Sequence, residues 1–170
     1  MSAILQDGDI VFAHTKGLIG RAIRFAQKHD RAQKGQSKWN HAAVVYKDDD
    51  GVFRVIQATA KGVTDNAYLE DIAPHGTYEI LPLPLHVDRK QFLGFMASQV
   101  GSKYGFLTIL SCAFDMYLPD AICLRRANTW ICSGLVAGGL WFAGFEGALD
   151  WPDLYTVTPA QLAESLQHQG

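Results

Sequence analysis

"HAAVVYKDDDGVFRVIQATA", residues 41–60, sets two apolar runs on either side of a turn signal. HAAVVY (41–46) and VFRVIQATA (52–60) are rich in β-branched and aromatic residues, and KDDDG (47–51) carries the Asp and Gly that turns favour. The stretch predicts an antiparallel hairpin. With KDDDG as the loop, Tyr46 faces Val52, Val45 faces Phe53, Val44 faces Arg54 and His41 faces Gln57. Directly opposed side chains share one face, with Cβ atoms about 5 Å apart. Gln57 then stands where it can hydrogen-bond one nitrogen of His41 and hold the ring. A slip of one residue would put the two on opposite faces.

On the N-terminal side, GDIVFAH (8–14) reads as a strand, and KGLIGRAIRFAQKH (16–29) has apolar residues at helical spacing. Residues 30–40 are polar and loop-like. Beyond the hairpin, GVTDNAYLEDIAPHG (62–76) reads as a loop with a short helical turn. TYEILPLPL (77–85) is a strand stopped by Pro82 and Pro84. Asp88 caps a helix that runs to about Val100 and ends at Gly101. Residues 104–118 read as a buried helical segment. TWICSGLVAGGLWFAG (129–144) is a second apolar helix, and a last helix opens with Thr158 as its cap and Pro159 in its first position. Short strands followed by helices make an α+β fold, and residues 1–170 form a single domain.

The composition agrees with one packed core: 170 residues, 48% of them hydrophobic. A net charge of −2 lacks the basic footprint of a nucleic-acid binder, so no nucleic-acid partner is expected. The basic residues from Lys28 to Lys38 read as a solvated helix end and loop. The uncharged run from Ala127 to Phe145 approaches the length of a membrane span. Its Asn, Thr, Ser and glycines point instead to a buried core helix, so no integral membrane span is expected. MSAILQDGDIVF lacks the basic start and long apolar core of a signal peptide, which makes the cytoplasm the default compartment. Delivery by a secretion system or a virion would leave no such mark.

Three cysteines, Cys112, Cys123 and Cys132, form no CxxC pair, and no HExxH spacing exists, so neither a metal nor another cofactor is expected. Cys112 lies within the apolar ILSCAF and reads as a buried thiol. Cys123 has two arginines near it but no histidine or helix start. Cys132 differs. Asn128 or Thr129 would cap its helix and place it in the first turn, where the helix dipole and free N–H groups favour a thiolate. His41 beside it would complete a thiolate–imidazolium pair, and the amides of the helix start would serve as an oxyanion hole. His14, closing the first strand, is expected to line the same cleft. His29, His75, His86 and His168 read as surface residues.

Taken in order, GDIVF, a helix, WNHAAVVY, VIQATAKGV, GSKYGF and WICSGLV resemble the circularly permuted branch of the NlpC-type papain-like cysteine peptidases. That branch includes the YiiX-like proteins and shares its layout with lecithin:retinol acyltransferase-like enzymes. The resemblance covers about Gly8 to Leu162. It implies a permuted papain-like fold, an antiparallel sheet packed on the helix that carries the nucleophile. It implies Cys132 as nucleophile, His41 as base and Gln57 as the polar third member, where such proteins often have Glu. Asn40 takes the place of a serine before the histidine, and Tyr104 matches an aromatic that lines the cleft, though core packing is its other reading. The implied activity is a cysteine hydrolase that cuts an amide through a thioester acyl-enzyme, with cell-wall (peptidoglycan) peptides as first substrates. The apolar surroundings of Trp39, Trp130 and Trp141 also suit an acyltransferase or thioesterase acting on lipid-like acyl groups. A catalytically inactive module that holds a peptide or lipid in the same cleft is the third reading.

Overall fold

A computed structural model describes residues 4–15, 38–72, 77–105, 129–151, 153–154 and 157–168. The sequence expectations for the helix at 16–29, the segment 106–128, Cys112, Cys123 and Asn128 lie outside these residues. The described part is an α+β fold built on a five-stranded sheet. Its strands are β1 (Ile10–Ala13), β2 (His41–Lys47), β3 (Phe53–Thr59), β4 (Gly62–Tyr68) and β5 (Tyr78–Leu81), in the order β4-β3-β2-β1-β5. Every neighbouring pair is antiparallel. Then follow α1 (Arg89–Ser98), a parallel pair of two-residue strands β6 (Lys103–Tyr104) and β7 (Thr129–Trp130), α2 (Cys132–Phe142) and α3 (Pro159–Gln167).

The hairpin forms, but its loop sits one residue further along than KDDDG. Lys47 pairs with Phe53, Tyr46 with Arg54, Val44 with Ile56 and Ala43 with Gln57. Asp48 decides this register. Its Oδ1 accepts the N–H groups of Asp50 (3.1 Å) and Val52 (2.8 Å), its own N–H reaches the Val52 carbonyl at 2.9 Å, and Gly51 turns the chain at φ 80°. The loop is therefore Asp48–Val52. Each expected pair moves by two residues, which keeps every side chain on its face. Gln57 ends diagonal to His41 rather than opposite it, still within reach of a long side chain.

β1 and the middle of β2 (Ala42–Val45) are apolar because both of their faces are covered. Ile10, Phe12, Ala42, Val44, Ile56 and Ala58 pack with Phe92 and Met96 of α1, Leu135 and Leu140 of α2, and Leu162 of α3. Val11, Ala13, Ala43, Val45 and Val55 form a second cluster with Ile72 on the other face. The expected loop at 62–76 is instead the edge strand β4 and a short 3-10 turn over Leu69–Asp71. Only Gly62 and Val63 of β4 are buried, and Asp65 and Asn66 face solvent. An edge strand tolerates such polar residues, so it carries little hydrophobic signal.

The helix caps follow local chemistry. Asp88 Oδ1 accepts the Gln91 N–H at 2.9 Å at the start of α1, and Thr158 with Gln161 forms a capping box on α3. The apolar run around α2 is core: residues 132–140 are all buried, and Gly144 at φ 86° stops the chain soon after. Among the described residues, no helix is long and apolar enough to cross a membrane. α2 lies close on α1 because Gly139 has no Cβ. One built there would stand 2.8 Å from the Phe92 ring and 3.2 Å from Met96 Sδ.

Candidate active site

Cys132 is the first residue of α2 and is 2% exposed. The cap of that helix is Ile131, in extended conformation and with no side-chain cap bond. The expected cap at Thr129 is corrected: Thr129 and Trp130 are held straight by pairing with Lys103 and Tyr104, which leaves no residue before Ile131 free to turn into the helix. The first amides of α2 consequently receive no side chain from the cap residue, and that of Ser133 donates toward the Cys132 sulfur. The Ala42 amide of β2 does the same from the sheet. The Ser133 hydroxyl donates to the Val157 carbonyl at 2.6 Å and ties the start of α2 to the approach of α3.

His41 opens β2, half-buried, and is hydrogen-bonded to the Cys132 side chain. Its Nε2 lies 2.7 Å from Gln57 Oε1. An amide oxygen only accepts, so Nε2 carries the proton and Nδ1 is the nitrogen left for the thiol. Burial would raise the pKa of the Cys132 thiol. The hydrogen bond and charge of His41, with the amides of Ala42 and Ser133, outweigh it and hold the thiol below its ordinary range. Burial would likewise lower His41, but the bond and charge of Cys132, then the bond to Gln57, raise it above the usual imidazole value. The two shifts share one cause, the Cys132–His41 contact, and both favour a thiolate beside an imidazolium.

Tyr104 is half-buried on β6, beside Trp130 of β7 and so two residues from Cys132 in register. Burial first, then the charge of Cys132, pushes its phenol well above the ordinary value, so the hydroxyl keeps its proton next to the thiolate. The expected buried helix at 104–118 therefore does not begin at Tyr104, which is held extended by its parallel partner.

The remaining expected cleft residues, Asn40, Trp39 and His14, are each held by other contacts. Asn40 is 2% exposed and its amide is taken up by Thr15: Oδ1 accepts the Thr15 N–H (2.8 Å) and hydroxyl (3.1 Å), and Nδ2 donates to its carbonyl (2.8 Å). It anchors the exit of β1 to the entry of β2, directly before His41. Trp39 is 1% exposed and belongs to the core, with the Lys38 ammonium 4.5 Å from its ring. His14 turns its Nδ1 to the Lys38 carbonyl at 3.2 Å. Of the four, Tyr104 alone is electrostatically tied to Cys132. The Ala42 and Ser133 amides had no signal of their own in the sequence, because a backbone N–H is common to every residue but proline.

No family model matches the chain, and no curated protein matches it. Among solved structures it is similar to the metalloprotein YiiX of Escherichia coli O157:H7 (DUF1105), with a TM-score of 0.58 and 18% identity. The match covers 82% of this chain and 66% of the YiiX chain, so the chain spans just under two thirds of that protein. The likeness is one of fold. Among the described residues, no three His, Cys, Asp or Glu side chains gather in a way that could hold an ion. At Cys132 the second nitrogen of His41 is already committed to Gln57.

Proposed function

We propose that the chain is a cysteine hydrolase of the permuted papain-like type, cutting an amide bond through a thioester acyl-enzyme. The observation that carries this reading is the Cys132–His41–Gln57 arrangement, a helix-start thiol hydrogen-bonded to an imidazole whose far nitrogen is held at 2.7 Å. Nδ1 of His41 takes the thiol proton, and the Cys132 sulfur attacks the scissile carbonyl carbon. The carbonyl oxygen becomes an oxyanion next to the uncapped start of α2, where the Cys132 amide serves as a donor. The imidazolium returns its proton to the leaving amine as the C–N bond breaks. A water molecule, deprotonated by His41, then attacks the thioester, releasing the acid and restoring the thiol. Gln57 orients the ring throughout and carries no charge. Cell-wall peptides are the first substrates to try, on the strength of the resemblance in motif order.

The test joins labelling to product analysis. After a short iodoacetamide pulse at neutral pH, mass spectrometry should find Cys132 alkylated ahead of Cys112 and Cys123. In His41→Ala the rate at Cys132 should fall by about tenfold or more, because the largest group that lowers the thiol is lost and burial is then opposed only by the Ala42 and Ser133 amides. Peptidoglycan fragments and lipid-ester acyl donors, supplied side by side, should give new carboxyl ends from the former. Acyl transfer from the latter alone would replace the peptidase reading by an acyltransferase. Preferential labelling of Cys112 or Cys123 would reject Cys132 as nucleophile.

A further inference from the structure

The groups that reach the Cys132 thiol from the sheet come from consecutive residues, the imidazole of His41 and the amide of Ala42. These are the first two residues of β2. Their ladder partners on β1 are Ala13 and Phe12, and Ala13 is the last residue of β1. The thiol is therefore gripped by a strand end, where regular pairing runs out and chains fray most easily.

Asn40 carries the pairing one step further. Its N–H donates to the Ala13 carbonyl at 3.1 Å. Its side chain encloses Thr15: Oδ1 accepts the Thr15 N–H at 2.8 Å and hydroxyl at 3.1 Å, and Nδ2 donates to the Thr15 carbonyl at 2.8 Å. The His14 N–H donates to the Thr77 carbonyl at 3.0 Å, so the chain leaving β1 is held from the β5 side as well. A carboxamide suits Thr15 because one short side chain supplies both a two-lone-pair acceptor and a donor. A carboxylate in this buried position could not donate to the Thr15 carbonyl. Gln57 does not duplicate this hold, since it fixes the far nitrogen of the His41 ring and not the backbone of residues 41 and 42.

We propose that Asn40 is a positioning residue for the thiol: by enclosing Thr15 it fixes the entry of β2, so that the His41 ring and the Ala42 amide reach Cys132 together. The inference rests on Cys132 being the nucleophile. Asn40 needs no contact with the sulfur, because it acts through the two residues that follow it. Without its side chain the buried groups of Thr15 lose their partners and the strand end loosens, which weakens both contacts at once. The other titratable group tied to the thiol among the described residues is Tyr104, which keeps its proton, so it does not enter the same titration.

The rate of iodoacetamide at Cys132, followed by mass spectrometry across pH, tests this in wild type, Asn40→Ala, His41→Ala and the double variant. In Asn40→Ala the rate at neutral pH should fall by about three- to tenfold, and the acid limb should move to higher pH, because a loosened His41 and Ala42 favour the thiolate less. In the His41→Ala background the same substitution should cost about twofold or less, since the largest group it positions is already gone. Ser165→Ala, which removes the 3.0 Å bond between Trp151 and α3, should leave rate and limb as they are. Circular dichroism checks that each variant is folded. Should Asn40→Ala not fold, Asn40→Ser, whose hydroxyl can still make one of the bonds, carries the same comparison. A folded variant with the wild-type rate and acid limb overturns the positioning role and leaves the nucleophile reading intact. Equal losses in the two backgrounds, the mark of a purely structural side chain, do the same. A wild-type Cys132 no more reactive than an ordinary thiol overturns both.

Discussion

Gln57 is the residue on which the chemistry of the pair turns. Its oxygen holds Nε2–H of His41 at 2.7 Å and so presents Nδ1 to the thiol. It does this without a charge, and the rise in the pKa of His41 owes more to Cys132 than to Gln57. The reactive form exists above the lowered thiol pKa and below the raised imidazole pKa, so a turnover–pH profile should be bell-shaped, with its acid limb set by Cys132 and its alkaline limb by His41. Gln57→Glu adds a negative charge beside the imidazolium and should move the alkaline limb upward while keeping activity. Gln57→Ala frees the ring to rotate and should lower turnover by about tenfold or more, toward the loss typical of a missing orienting or proton-transfer group. Equal profiles for wild type and Gln57→Ala would mean that another group holds His41. All three side chains were legible in the sequence, since thiol, imidazole and amide announce themselves. What the sequence misplaced was their pairing, because the turn is organised by Asp48, one of three consecutive aspartates that look alike on paper.

Among the elements, α1 and α2 offer two glycines with opposite expectations. Gly139 of α2 faces the rings and sulfur of α1, and Phe92 and Met96 are fully buried, so neither can move aside. Gly139→Ala should destabilise the fold by about 1–2 kcal/mol, as overpacking exceeds the gain in helix propensity. Gly94 lies on the exposed side of α1, and a Cβ there meets nothing within 4 Å. Gly94→Ala should stabilise by about 0.5–1 kcal/mol. Urea unfolding of the two variants checks both signs, and a stable Gly139→Ala would show that the helices separate more easily than the packing implies. The helices were readable because cap chemistry and period 3.6 are local: Asp88, Thr158 and Pro159 all stand where the sequence placed them. β4 was not, because an edge strand with Asp65 and Asn66 outward is specified by its partner β3 and not by its own pattern. Asn40 was read as a cleft residue for a related reason. Its three bonds to Thr15 depend on two segments meeting, and no spacing in the chain expresses that.

In the molecule as a whole, the site is an interface between two parts of the chain far apart in sequence. His41 and Gln57 belong to the sheet, while Cys132 belongs to a helix that begins after residues 106–128. The parts are not independent. α2 packs on β2 and β3 through Leu135, Val136 and Leu140, on α1 through Gly138 and Gly139, and on α3 by the Ser133–Val157 bond. A thiol depressed chiefly by His41, a group from another segment, keeps its full reactivity only while the two remain together, so alkylation of Cys132 is a local probe of the global fold. Small domains with one continuous core unfold in a single cooperative step. The excess reactivity of Cys132 over an ordinary thiol, measured by pulsed alkylation across a urea series, should therefore vanish at the same midpoint as the far-ultraviolet circular dichroism of the sheet and helices. His41→Ala should remove the excess at zero urea and leave the spectroscopic midpoint within about 1 kcal/mol of wild type, since a half-buried polar side chain outside the apolar core carries little of the stability. Loss of the excess at a lower urea concentration than the spectroscopic change would mean that α2 leaves the sheet before the rest unfolds, and that the packing around Gly139 and Ser133 is weaker than the close contacts there require.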